Sequence, residues 1–84
     1  SNSGSDEFQL KVYPNPSDGP IKIISNLAAK GRLVNAMGQI LLADIEIPAN
    51  ATVEIQSQFL TPGLYILNLE VEGRFTESRK VWIR

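Results

Sequence analysis

Three carboxylates late in the chain, Glu70, Glu72 and Glu77, are the residues best suited by type and spacing to acid–base chemistry. Glu70 and Glu72 stand two apart and so share one face of a strand, with Glu77 opposite across a hairpin. Such a set works as acid and base only when burial or mutual repulsion drives its pKa values apart. A solvated strand face does neither, so the three read as a solubilising charge row. Asp18, with Asn15 and Ser17 beside it, offers oxygen ligands. Calcium, however, takes about six to eight oxygens, and only one charged carboxylate is present, so side-chain hydrogen bonding within a turn accounts for these residues.

The 84 residues include no His and no Cys. Ser-His-Asp triads, Cys-His nucleophiles, zinc sites of the usual ligand types and disulfide frameworks are therefore excluded. Gly38, Gly63 and Gly73 are isolated turn residues rather than a phosphate-binding loop. The reading is thus of a chain with no catalytic residues, no metal ligands and no cofactor. Asn50-Ala51-Thr52 matches a glycosylation acceptor, a pattern that matters only in a glycosylating compartment. Trp82 and Arg84 share a face of the last strand and suit either a stacking surface or ordinary packing at a sheet edge.

Eight Lys and Arg against nine Asp and Glu leave a net charge of -1, which argues against a nucleic-acid partner held by phosphate neutralisation. With 43% hydrophobic and 20% charged residues, the chain lies in the globular range. Its length allows one domain, burying roughly 63% of its unfolded surface. The apolar runs are far shorter than the roughly 20 residues needed to cross a bilayer. Absence of Cys leaves the redox compartment open.

The elements that must position these residues read as strands. Ser1 to Glu7 contain no apolar residue and form a linker or cloning remnant, so the domain spans residues 8–84. Phe8, Leu10 and Val12 alternate with polar residues as a half-buried strand does. The run Pro14 to Pro20 makes a rigid turn, and Ile21 to Ser25 a second strand. Asn26 to Lys30 reads as a loop, Gly31 to Asn35 as a third strand, and Gly38 supplies positive φ to the turn after it. The fourth strand places Leu41, Ala43, Ile45 and Ile47 on one face and Leu42, Asp44 and Glu46 on the other, ending at Pro48. Thr52 to Gln56 follows, with Val53 and Ile55 inward. Thr61-Pro62-Gly63 has the order of a type II turn. Leu64 to Val71 then reads as a central strand covered on both faces, Glu72-Gly73 as a turn, and Arg74 to Arg84 as the last strand. About seven short strands without a convincing helix predict an all-β, immunoglobulin-like antiparallel β-sandwich.

Four elements occur in order: Tyr13-Pro14-Asn15-Pro16 with Gly19 three residues on; Met37-Gly38-Gln39 before an apolar strand; Leu60-x-Pro62-Gly63-x-Tyr65; and a basic, apolar ending from Lys80 to Arg84. Over residues 10–84 this arrangement resembles the C-terminal sorting domain of the type IX (Por) secretion system of Bacteroidetes. The resemblance implies a seven-stranded immunoglobulin-like domain at the end of a secreted cargo protein, without an active site of its own. It further implies passage through the periplasm, recognition by the outer-membrane translocon and its shuttle protein, and removal by a sortase-type cysteine protease cutting in the preceding linker. The cargo then reaches the cell surface or medium. Family members more often finish with Lys and smaller aliphatics than with Val81-Trp82-Ile83-Arg84.

A last strand alternating Lys80 and Arg84 with Val81 and Ile83 is expected to present an edge that pairs with a receptor strand. Lys80, Val81, Trp82, Ile83 and Arg84 are accordingly the candidate translocon contact, and the same edge suits a homodimer. The rival reading is a β-sandwich accessory module that binds polysaccharide or a cell-surface ligand. It needs Tyr13, Tyr65 and Trp82 to share a face. A structural spacer domain is a third.

Overall fold

The computed structural model describes residues 8–13, 19–56 and 58–84. Seven strands run in chain order: β1 (Leu10–Tyr13), β2 (Ile21–Ser25), β3 (Ala29–Asn35), β4 (Ile40–Ile47), β5 (Thr52–Ile55), β6 (Gly63–Val71) and β7 (Phe75–Ile83). They form two antiparallel sheets, one of three strands ordered β1-β2-β5 and one of four ordered β4-β3-β6-β7. The all-β, immunoglobulin-like sandwich expected from the strand pattern is the architecture found.

Period-2 alternation builds the core. In β2, Ile21, Ile23 and Ser25 are buried while Lys22 faces out. In β6, Tyr65, Leu67, Leu69 and Val71 are buried, and in β7 so are Val81 and Ile83. These meet Leu33, Ile47 and Ile55 in one cluster between the sheets, with Leu10, Val12, Leu42, Ile45 and Val53 packed around it. Each fully buried aliphatic of this kind is worth about 1.5–3 kcal/mol. Ser25, the buried polar member, donates from Oγ to the Leu27 carbonyl at 2.5 Å and accepts the Leu27 N–H at 3.1 Å, so it carries no unmet polar demand.

Several expectations need correction. Ala29 and Lys30 belong to β3, because both pair across to β4 and β6. Two residues of the expected loop are thus drawn into the sheet by neighbours on either side. In β4 the alternation breaks: Gly31 opposes Ile45 and Leu33 opposes Leu42, and a second irregularity separates Leu33 from Val34. Asp44, with φ of 56°, sits in the first break. The inserted residue reverses the parity. Leu42, Ile45 and Ile47 therefore face the core, and Leu41 and Ala43 are exposed.

β6 is central, as expected, but its outward residues Leu64, Ile66 and Asn68 are only half-covered and Glu70 is exposed. No layer lies on that face among the described residues. Gly63 has φ of 149° and pairs with Ile83 as the first residue of β6. A type II turn needs about +80° at its third position, so Thr61-Pro62-Gly63 leads into the strand by another path. At the other end of β6, Glu72 and Gly73 both have positive φ, 52° and 66°, and Arg74 N–H donates to the Val71 carbonyl at 2.9 Å. This is the turn that fits the twist of a tight hairpin.

Candidate functional site

The carboxylate trio does not assemble. Glu70 opposes Thr76 on the outer face of β6, Glu72 lies in the turn, and Glu77 opposes Leu69 with the parity of the inward-facing residues. Glu72 pairs with Arg74 at 3.2 Å, and Glu77 pairs with Arg79. Among the described residues no three His, Cys, Asp or Glu gather around a common point. Asn15, Ser17 and Asp18 lie outside the described residues, as do Pro14 and Pro16 of the first motif.

Of the described motif residues, Tyr13 ends β1 in the three-stranded sheet and Gly19 precedes β2, whereas those of the second and third motifs and the end of β7 converge on one end of the four-stranded sheet. Asn35 opposes Tyr65, Gly63 opposes Ile83, and Leu64 opposes Trp82. The turn after β3, the loop before β6 and the end of β7 are therefore neighbours. Between the turn at 36–39 and the loop at 59–63 lies a groove of about 360 Å³, with Met37, Leu41, Phe59 and Leu64 among its walls.

Local chemistry fixes both walls. Asn35 organises the turn: its Oδ1 accepts N–H groups from Met37 at 2.9 Å and Gln39 at 3.0 Å, and its Nδ2 donates to Gln39 Oε1 at 2.8 Å. Gly38, at φ of 86°, donates to the Asn35 carbonyl at 3.0 Å, and Asn35 N–H donates to the Gln39 carbonyl at 3.0 Å. Gly38 and Gln39 are thus parts of a turn that holds Met37 outward. In the other wall the Tyr65 ring is buried and its hydroxyl donates back to the Thr61 carbonyl at 2.6 Å, with Thr61 Oγ1 at 3.1 Å. Like the tyrosine corner of immunoglobulin sandwiches, this ties a loop to the strand it enters. Pro62, which has no N–H to satisfy, sits within that tie.

The sequence reading missed Asn35, whose type and position before Met-Gly-Gln are the signal of a side-chain-closed turn. It also missed Met37, Ile40, Leu41 and Phe59 as exposed large apolar residues.

At the end of β7, Lys80, Trp82 and Arg84 are exposed, with Trp82 half so, while Val81 and Ile83 are buried. β7 ends the four-stranded order, and nine consecutive pairs hold it to β6 without a bulge. β4, the strand at the opposite end of that order, is irregular at two places. Lys80 and Trp82 each already engage a neighbour. Tyr13 is exposed on the outer side of the three-stranded sheet, Tyr65 is in the core, and Trp82 is on the outer side of the other sheet. The three do not form an aromatic platform. A second cleft, of about 660 Å³, runs between β1 and β7 past Leu10, Val12, Tyr13, Arg79 and Lys80.

No curated protein is similar enough to match the chain. The family model described as the secretion system C-terminal sorting domain matches residues 11–84, which takes in every strand except the first residue of β1. That match, over a chain folded as an immunoglobulin-like sandwich, establishes that the chain belongs to the type IX secretion C-terminal sorting domain family.

Proposed function

We propose that this domain escorts an attached cargo protein across the periplasm to the type IX outer-membrane translocon and its shuttle protein, and is recognised there through Lys80 to Arg84. A sortase-type cysteine protease then cuts in the segment before residue 8, and the cargo passes to the surface or medium. The domain itself performs no catalysis. The observation that carries this reading is the family match over residues 11–84, joined to the position of Lys80, Trp82 and Arg84 at the exposed end of a regular terminal strand. Val81 and Ile83 anchor that strand in the core, so their outward neighbours are held in fixed register.

The test is a reporter fused to the full 84-residue chain behind a signal peptide, expressed in a type IX-competent bacterium and in its translocon-null twin. Export in the competent strain alone is expected. Deleting Lys80 to Arg84 should abolish delivery of a stable fusion, whereas Leu67→Asp should abolish folding. Unimpaired export of the truncated form refutes the assigned contact. Concentration-dependent mass in sedimentation, lost on the same deletion, would identify self-association through this edge.

A further inference from the structure

We propose that the cleft between β1 and β7 is a peptide-docking site. Its occupant is an extended segment of a partner protein, about four residues long, that adds as a strand to the outer edge of β1 and alternates carboxylates with apolar residues. This goes beyond the sorting reading, and its test needs no exporting strain.

The cleft, of about 660 Å³, opens where both sheets end: β1 is the first strand of the order β1-β2-β5, and β7 the last of β4-β3-β6-β7. Among the described residues β1 is paired along one side alone, to β2. The Asn26 N–H donates to the Gln9 carbonyl at 3.1 Å and the Gln9 N–H to Asn26 Oδ1 at 2.8 Å, so the backbone of Gln9 faces β2. Successive residues of an antiparallel strand turn their N–H and C=O groups to opposite sides. Lys11 and Tyr13 therefore also face β2, while Leu10 and Val12 turn both groups outward, to the side of the cleft. Those groups stand about 7 Å apart, the two-residue repeat of an extended peptide.

Charge indicates what fills the cleft. Lys11, Arg79 and Lys80 line it, and among the described residues no carboxylate does. Arg79 pairs with Glu77 and Lys80 engages a neighbour, whereas Lys11 makes no ion pair among the described residues. The rest of the lining is mainly apolar, from Leu10, Val12 and Ile24. A lining of cations and aliphatics is complementary to a segment that carries carboxylates and apolar side chains together.

Strand alternation orders those side chains. Lys11 and Tyr13 are exposed on the outer side of β1, and Leu10 and Val12 are half-buried against the core. Residues of an added strand that stand beside Lys11 are thus matched as carboxylates, and those beside Leu10 and Val12 as aliphatics. A phosphate group supplies acceptors alone and leaves the Leu10 and Val12 carbonyls unmatched, whereas a peptide backbone brings donors and acceptors at the same repeat. The chain has such a run of its own, Asp44-Ile45-Glu46-Ile47, but Ile47 is in the core and Ile45 packs against it. A second copy cannot present those side chains without unfolding β4, which leaves a partner protein as the source.

The test titrates the purified 84-residue chain calorimetrically with the synthetic peptide Gly-Val-Asp-Val-Glu-Val-Gly. Saturable binding that weakens with added salt is expected. A counterpart with Lys in place of both carboxylates should not bind, and neither should the acidic peptide N-methylated along its backbone. Lys11→Glu should weaken binding about tenfold, equivalent to about 1.4 kcal/mol, and Lys30→Glu, an exposed position on the other sheet, should leave it unchanged. Circular dichroism should show both variants folded. Saturating peptide should slow amide exchange at Leu10 and Val12 more than at Lys11 and Tyr13, whose N–H groups already face β2.

Failure of the acidic peptide to bind overturns the proposal, as does equal binding by its Lys counterpart or by the N-methylated form. Wild-type affinity in Lys11→Glu overturns it too. Slowed exchange along β7 without any at Leu10 and Val12 puts the added strand on the other edge and overturns the assignment to β1. A sedimentation dimer lost in Lys11→Glu makes the occupant a second copy, and flotation of the wild type, but not of Lys11→Glu, with phosphatidylglycerol vesicles makes it a bilayer; either result overturns the proposal. Failure of the reporter fusion to be exported removes the sorting reading and leaves this one standing.

Discussion

Gly31→Ala adds a single methyl group where the two central strands of the larger sheet meet the core. A Cβ built at Gly31 falls 2.7 Å from Leu69 Cδ2, with Ile47 Cδ1 and the Asn68 carbonyl oxygen each at 3.5 Å. Carbon atoms pack best at about 3.5–4.0 Å, so Leu69 must give way by most of an ångström. Leu69 and Ile47 are each 1% exposed, which leaves the displaced methyl no open volume to enter. Overpacking of this kind costs about 1–3 kcal/mol. Replacing Gly by Ala within a strand returns about 0.5–1 kcal/mol through the unfolded chain. The net expectation is about 0.5–2 kcal/mol of destabilisation. At about 2.1 cal/mol/K per residue, a domain of this length loses about 6 °C of Tm per kcal/mol, so the variant should melt about 3–12 °C lower. Thermal and urea unfolding of the purified chain read both quantities. A double-mutant cycle isolates the cause: in a Leu69→Ala background, itself costing about 2–5 kcal/mol, Gly31→Ala should be neutral or stabilising. A Gly31→Ala variant that melts at or above the wild-type temperature would show that the sheet relaxes around the added atom and that the clash argument is wrong.

Tyr65→Phe keeps the buried ring and removes the hydroxyl that ties Thr61 to β6, so it should lose about 1 kcal/mol, seen as a fall in Tm of about 6 °C. Asn35→Ala opens the 36–39 turn and should lose about 1 kcal/mol in urea unfolding, with faster amide exchange at Met37 and Gln39 than elsewhere in the sheet. Glu46→Gln should change stability by less than about 0.5 kcal/mol and leave its salt dependence flat, because the Lys30–Glu46 contact at 3.6 Å is between two exposed side chains.

What was legible in the sequence depended on how local the determinant was. β2, β5, β6 and β7 read correctly because each alternates without interruption, and their inward residues, from Ile21 to Ile83, form the observed core. β4 alternates in the same way, yet only Ile45 and Ile47 of its expected inward set face the core, and Leu42 replaces Leu41 and Ala43 there. Its bulges answer to pairing with β3, and nothing in Leu41-Leu42-Ala43-Asp44 announces them. The same limit explains Ala29 and Lys30, recruited by partners on both sides, and Gly63, whose neighbour Pro62 suggested a turn where the chain had already entered β6.

The candidate site shows this dependence most plainly. The Met37-Gly38-Gln39 turn was visible as a turn and is closed by Asn35, while the loop before β6 is tied by Tyr65 rather than by a type II turn. Gly38, Pro62 and Tyr65 therefore act on the domain's shape, whereas Met37, Phe59 and Trp82 are the exposed side chains which that shape displays. The side chains that shape these turns and the apolar side chains that the turns leave exposed are thus different residues of the same stretches. No periodicity links Met37, Phe59 and Trp82, which come from three separate stretches. They become neighbours through the pairing of β3 with β6 and of β6 with β7. A change at Gly38 or Tyr65 should accordingly lower Tm, while Met37→Ser or Phe59→Ser, at exposed positions, should leave a domain that melts as the wild type does. Thermal unfolding of the purified variants reads the difference, and a fall in Tm at Met37 or Phe59 equal to that at Tyr65 would refute the division.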